Sequence, residues 1–290
     1  DRGLHVAPPH RRTRRRMSIL GADFSGGLFR RMYRPLNPAG LWYAIAVAVG
    51  LLALHQGLQL VLSYGVLKAI AGAATPTARD AVKASLVVIF PSSLIVAAAG
   101  WWLAERGGQH PADVLNLRWP RISPLGWVVL LIGFIIVMYA AILVVVLVLG
   151  IDLAQYTPGP HGESPKTGSA GLVKEAMFDI VHDPKLFLFV FPSVAFGAPL
   201  AEEMIFRGQL FSALSTTRLG VAGATLLTAT VWSLLHVTEP WLSIALIFMM
   251  GLAFGWMMYR FGSLWVTIIC HGVWNGFYAL LVFLKLGVGS

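Results

Sequence analysis

The chain has 290 residues, 57% of them hydrophobic and 12% charged, with a formal net charge of +9. Soluble domains carry about 25% charged residues, so this composition excludes an ordinary water-soluble globule and points to a chain built for lipid. Nor does the positive balance indicate a nucleic-acid partner. Nine arginines fall in residues 1–34 and the other thirteen basic residues are scattered singly between apolar runs, as topology signals beside membrane spans are.

Residues 1–40 read as a basic N-terminal segment on the cytoplasmic side. The chain begins at Asp1, and Met17 is a candidate start after the arginine run. Ser18–Pro38 is mixed and polar, whereas a cleavable signal peptide needs a short apolar core directly after the charges. Residues 41–285 read as one transmembrane domain, an all-α polytopic bundle with its catalytic core at 186–284. Apolar runs of roughly 17–25 residues are read as spanning helices. Seven occur: Leu41–Leu62, Ser85–Ala104, Gly126–Leu149, Leu186–Phe206, Val221–His236, Leu242–Tyr259 and Leu264–Leu284. The fourth is expected to continue towards Leu214, and a break at Pro192 or Pro199 would make an eighth. Glu105–Leu125 is a basic loop, and Asp152–Lys185 is the longest connection, rich in Pro and Gly near Pro158–Gly162, with a short helix over Leu172–Val181.

With the N-terminus inside, fifteen Lys and Arg lie on the inner side against seven outside. That bias favours a cytoplasmic N-terminus and, with no signal peptide, a bacterial inner membrane. Counted from Met17 the ratio is nine against seven. No internal repeat is visible. Cys270 is the only cysteine, so an internal disulfide and a thiolate metal cluster are excluded, and the thiol reads as packing. Gly251 and Gly255 form a small-residue face for close packing of the sixth run. The ten tryptophans, Trp101, Trp102, Trp241 and Trp265 among them, read mostly as an interfacial belt. His55, beside Gln56 and Gln59, reads as a polar contact between helices and is given no catalytic role.

The chain's most informative feature is Pro199-Leu-Ala-Glu-Glu-Met-Ile-Phe-Arg207. A charge near the bilayer centre costs roughly 2.5–3.5 kcal/mol, so two carboxylates and a guanidinium here mark a functional site by default. Glu203 and Arg207, four residues apart, share a helix face and can pair. Glu202 lies about 100° around the helix and can point elsewhere. His271 and Asn275 are also four apart on one face, while His236 closes a third apolar run. At 1.5 Å per residue, Glu202 lies about 20 Å from the inner end of its helix, His236 about 22 Å, His271 about 12 Å and Asn275 about 18 Å. Three helices can therefore present these groups to one cavity.

Two chemistries are open to such a set. A carboxylate and an imidazole can remove a proton from water, with a second imidazole and an amide donating to an oxyanion. Alternatively, Glu202, His236 and His271 can hold Zn²⁺ with a position left for water. The run Glu202-Glu-Met-Ile-Phe-Arg207 resembles the Glu-Glu-x-x-x-Arg motif of the CAAX protease and bacteriocin-processing (CPBP, or Abi) membrane proteins. Val231-Trp-Ser-Leu-Leu-His236 resembles the second motif of that family. Gly251 through Gly262-Ser-Leu-Trp265 to His271-Gly-Val-Trp-Asn275 is similar to its third block, and Leu117-Arg-Trp-Pro120 to a stretch in some members. The resemblance covers roughly residues 185–280 and extends weakly to 105.

The resemblance implies an intramembrane endopeptidase akin to type II CAAX prenyl endopeptidases, cleaving a membrane-associated or prenylated protein or peptide. It implies that Glu202 and His236 activate water, that His271 and Asn275 stabilise the oxyanion, and that Glu203 and Arg207 orient the site. The metal requirement stays open. The rival expectations are a transporter or ion pathway using the same ionisable set, and a catalytically silent membrane scaffold.

Overall fold

The computed structural model describes residues 30–284 other than 36, 38, 39, 73, 107–109 and 153–167. The basic stretch through residue 29, with Met17, and the Pro/Gly-rich part of the long loop lie outside the described residues. Inside hydrocarbon every backbone N–H and C=O must be satisfied within the protein, which leaves the α-helix for isolated apolar runs. Among the described residues every regular element is helical. In chain order these are α1 (Leu41–Ala71), α2 (Ala78–Glu105), α3 (Pro111–Val114), α4 (Pro124–Leu149) and α5 (Gly168–His182). They are followed by α6 (Pro184–Leu214), α7 (Gly220–Leu234), α8 (Trp241–Phe261) and α9 (Leu264–Phe283).

Six of these helices, α1, α2, α4, α6, α8 and α9, are long and apolar enough to cross a membrane. The polytopic helical bundle expected from the sequence is therefore present, with two differences. The run Val221–His236 forms a helix of only 15 residues, about 22 Å long against the ≈ 30 Å of a hydrocarbon core. Its apolar composition continues into a turn, and His236 sits in that turn. Nor does α6 break at its prolines; it runs through Pro192 and Pro199 as one helix with wide π turns at Ser193–Gly197 and Met204–Phe211. The helix expected at Leu172–Val181 is present, slightly longer, as α5.

Two prolines inside spans free carbonyls, and side chains from neighbouring helices take them up. Pro91 in α2 has no N–H for the Val87 carbonyl four residues back. The Ser193 hydroxyl of α6 donates to that carbonyl at 3.0 Å, and Ser193 Oγ accepts from the Phe90 N–H at 3.2 Å. In the first π turn of α6 the Ala198 N–H reaches Ser193 O, so the next carbonyl, Val194, would need an N–H from Pro199. There is none. Asn275 Nδ2 of α9 donates to Val194 O instead, at 3.1 Å.

Glycines set the closest helix approaches. A Cβ on Gly272 would lie 2.5 Å from Ala195 O, and one on Gly251 would lie 2.7 Å from Ala229 Cβ of α7. The small-residue face of α8 thus packs against α7, as its spacing suggests. At the other end, the loop containing Leu117–Pro120 covers the start of α9, whose first N–H groups have no partners within the helix. Leu264 N donates to Asn116 O at 2.8 Å and Trp265 Nε1 to Leu117 O at 2.9 Å. Large apolar side chains are plentiful on the outside, including Val128, Ile136 and Val148 of α4, the inverse of a soluble surface.

Gly251→Val is expected to overpack the α7–α8 contact and cost about 1–3 kcal/mol, while Leu226→Val on the outer face of α7 leaves stability unchanged. Cys270 is buried and is the only cysteine, so a thiol-reactive dye reports unfolding of the detergent-solubilised protein directly.

Candidate active site

Adjacent glutamates on α6 serve two different surroundings. Glu203 is 0% exposed, as is Arg207, and the Arg207 Nη1 donates to Glu203 Oε1 at 2.9 Å. The same oxygen lies 3.1 Å from His271 Nδ1 of α9. A carboxylate between a guanidinium and an imidazole accepts from both, which assigns the proton to Nδ1. Two rings enclose the guanidinium: Arg207 Cζ lies 4.5 Å from the Trp232 ring centroid and 5.2 Å from that of Phe254. Those cation–π faces stand in where Arg207 Nε and Nη2 have no hydrogen-bond partner among the described residues. Close approach of α8 at Gly251, 3.4 Å from Arg207 Nη2 if a Cβ were added, keeps this space tight.

Glu202 turns the other way, onto a cavity of about 220 Å³ that it lines together with His236, Trp232, His55, Gln56 and Gln59. Its Oε2 accepts the indole N–H of Trp232 at 2.6 Å. The carbonyl of that same tryptophan accepts from His236 Nδ1 at 2.9 Å. A carbonyl can only accept, so the His236 proton is on Nδ1 and Nε2 presents a lone pair. One residue, Trp232, thus aims a carboxylate and a basic nitrogen at the same cavity: its side chain holds the first and its backbone the second.

All six motif residues therefore sit around Trp232 and α6, in two layers. Glu202 and His236 face the cavity; Glu203, Arg207 and His271 form a buried network behind it, and Asn275 ties α9 to α6. The proposed zinc set is not gathered. His271 lies on Glu203, not on Glu202, and does not line the cavity; among the described residues no three His, Cys, Asp or Glu side chains converge at ligand distance. No step below is routed through a metal.

Sequence reasoning missed Trp232, which is 2% exposed and belongs to no interfacial belt. Its signal was its place four residues before His236 inside the second motif. It also left aside the α1 group, in which His55 is buried 3.2 Å from Ser93 Oγ of α2 and 3.1 Å from Gln59 Nε2. The i, i+4 spacing of His55 and Gln59 was visible, but their meeting with Glu202 depends on how α1 packs.

The fold and the site define an integral membrane protein whose ionisable centre is embedded among its spans. Residues 184–277, from the first residue of α6 into α9, match the family described as type II CAAX prenyl endopeptidase Rce1-like. Over this stretch, about a third of its length, the chain is similar to the CPBP/CAAX membrane proteases. Neither the curated proteins nor the solved structures yielded a match.

Removing one partner of a buried ion pair strands the other, at about 3–5 kcal/mol. Glu203→Leu and Arg207→Met are each expected to destabilise by that order, and the double variant by less than their sum. A double-mutant cycle on thermal midpoints in detergent checks this; additive effects would mean that the two groups do not interact.

Proposed function

We propose that the protein is an intramembrane endopeptidase in which Glu202 and His236 activate the attacking water. The observation that carries this reading is the shared support of both groups by Trp232 at one cavity. Water held between the free Glu202 oxygen and His236 Nε2 loses a proton to this pair as its oxygen attacks the scissile carbonyl. The proton then passes to the leaving amine, so the pair ends in its starting state. Such positioned acid–base groups contribute typically 10²–10⁴-fold in rate.

The oxyanion role proposed for His271 and Asn275 needs a donor beyond the bonds described. Asn275 keeps one amide hydrogen after serving Val194. His271 keeps Nε2 once Nδ1 serves Glu203, and because neither residue lines the cavity, this role requires α9 to approach the bound peptide. Glu203 and Arg207 act through these groups as positioning residues. The substrate class we propose is a peptide segment of a membrane-associated or prenylated protein. The excess of Lys and Arg on one side supports a bacterial inner membrane with the N-terminus in the cytoplasm.

The test is cleavage, read by mass spectrometry, of S-farnesylated CAAX peptides and of transmembrane peptides by the purified protein in detergent. Glu202→Ala and His236→Ala are each expected to lower kcat by about 10²-fold or more while retaining the thermal midpoint. Full cleavage by either variant would remove that residue from the mechanism. Chelator arms report whether Zn²⁺ takes part: loss of wild-type cleavage, restored by added zinc, would show that it does.

Trp232→Phe keeps the carbonyl that orients His236 and deletes the indole N–H on Glu202. Losing a hydrogen bond to a charged group costs about 1.5–3 kcal/mol, so kcat should fall by roughly 10–100-fold. An unchanged kcat would show that the indole does not govern the carboxylate.

A further inference from the structure

Part of the wall of the cavity that holds Glu202 and His236 is supplied by α1. Leu52, His55, Gln56 and Gln59 all line it. Their spacing of three, four and seven residues places them on one helix face. Three consecutive polar positions on that face of a spanning helix are costly unless something uses them. His55, 5% exposed, is braced against Ser93 and Gln59 and so is already partnered. Gln59 spends one amide hydrogen on His55 and keeps its carbonyl oxygen and second hydrogen. The amide of Gln56 makes no hydrogen bond among the described residues.

The proposed reaction creates a matching demand. A segment cleaved inside a membrane protein must be extended at the scissile bond, and an extended segment exposes N–H and C=O groups that no longer bond within the peptide. In a water-poor site those groups need partners. A glutamine side chain is chemically the same group as a peptide unit, with donor and acceptor on one planar amide. Neither lysine nor arginine lines the cavity, so the wall suits a neutral amide rather than a phosphate or carboxylate.

We infer that Gln56 and Gln59 of α1 form a main-chain binding subsite that holds the extended substrate peptide in the cavity they share with Glu202 and His236, with His55 and Ser93 positioning Gln59. This rests on the protease reading above.

The experiment pairs substrate and enzyme changes. An S-farnesylated CAAX peptide is compared with analogues carrying a single backbone N-methyl at each residue flanking the scissile bond, on wild type, Gln56→Leu and Gln59→Leu. At one or more positions N-methylation should raise the wild-type KM by about tenfold. A glutamine variant should raise the KM of the parent peptide to a similar degree, with kcat within about twofold, and should no longer distinguish the methylated analogue. Thermal midpoints confirm that both variants fold. Variants that cleave with wild-type KM, or that still reject the same analogue, overturn the subsite and leave the protease reading intact. If wild type cleaves none of the peptides, the protease reading fails. Peptide affinity, read by fluorescence anisotropy on the same variants, then decides the subsite alone: tenfold weaker binding supports it and equal binding overturns it.

Discussion

The rest of the structure depends on how a carboxylate–guanidinium pair is accommodated where both side chains are wholly buried. Glu203 and Arg207 are wholly buried, and their mutual attraction alone seldom repays the loss of hydration. The structure adds a third bond from His271 and two aromatic faces from Trp232 and Phe254. Each supplement comes from a different helix. The centre therefore fixes α7, α8 and α9 against α6, and the glycine at position 251 lets α8 close on α7, where a Cβ would meet Ala229.

The sequence shows the inner layer of the site better than the outer one. Glu203 with Arg207, and His271 with Asn275, are each four residues apart, and helical geometry alone predicts that each pair shares a face. The 100° step between successive residues separates Glu202 from Glu203 in the same way. Trp232 was legible only as a member of the second motif, four residues before His236; its bond to the Glu202 carboxylate depends on how α7 packs on α6. His55 and Gln59 were visible as a polar pair, but only the packing of α1 against α2 and α6 brings them to the cavity.

The spans show the same division. Hydropathy located all six long helices because lipid imposes composition over whole helices. It overstated α7, since apolar residues continue past Leu234 into a turn, and composition does not distinguish a turn from a final helical turn. The π turns of α6 have no compositional mark. The first lies where the Val194 carbonyl, deprived of its partner by Pro199, meets Asn275 of α9.

The seat of Asn275 on Val194 has a consequence for how this centre behaves as a whole. His271 and Asn275 lie one turn apart on the same rigid helix and fasten α6 at two points, one on the carboxylate of Glu203 and one on the carbonyl freed by Pro199. Rotation of α9 about its axis cannot loosen one fastening and spare the other. The two fastenings are therefore coupled: a tilt or turn of α9 acts on the Glu203 carboxylate and on the Val194 carbonyl together.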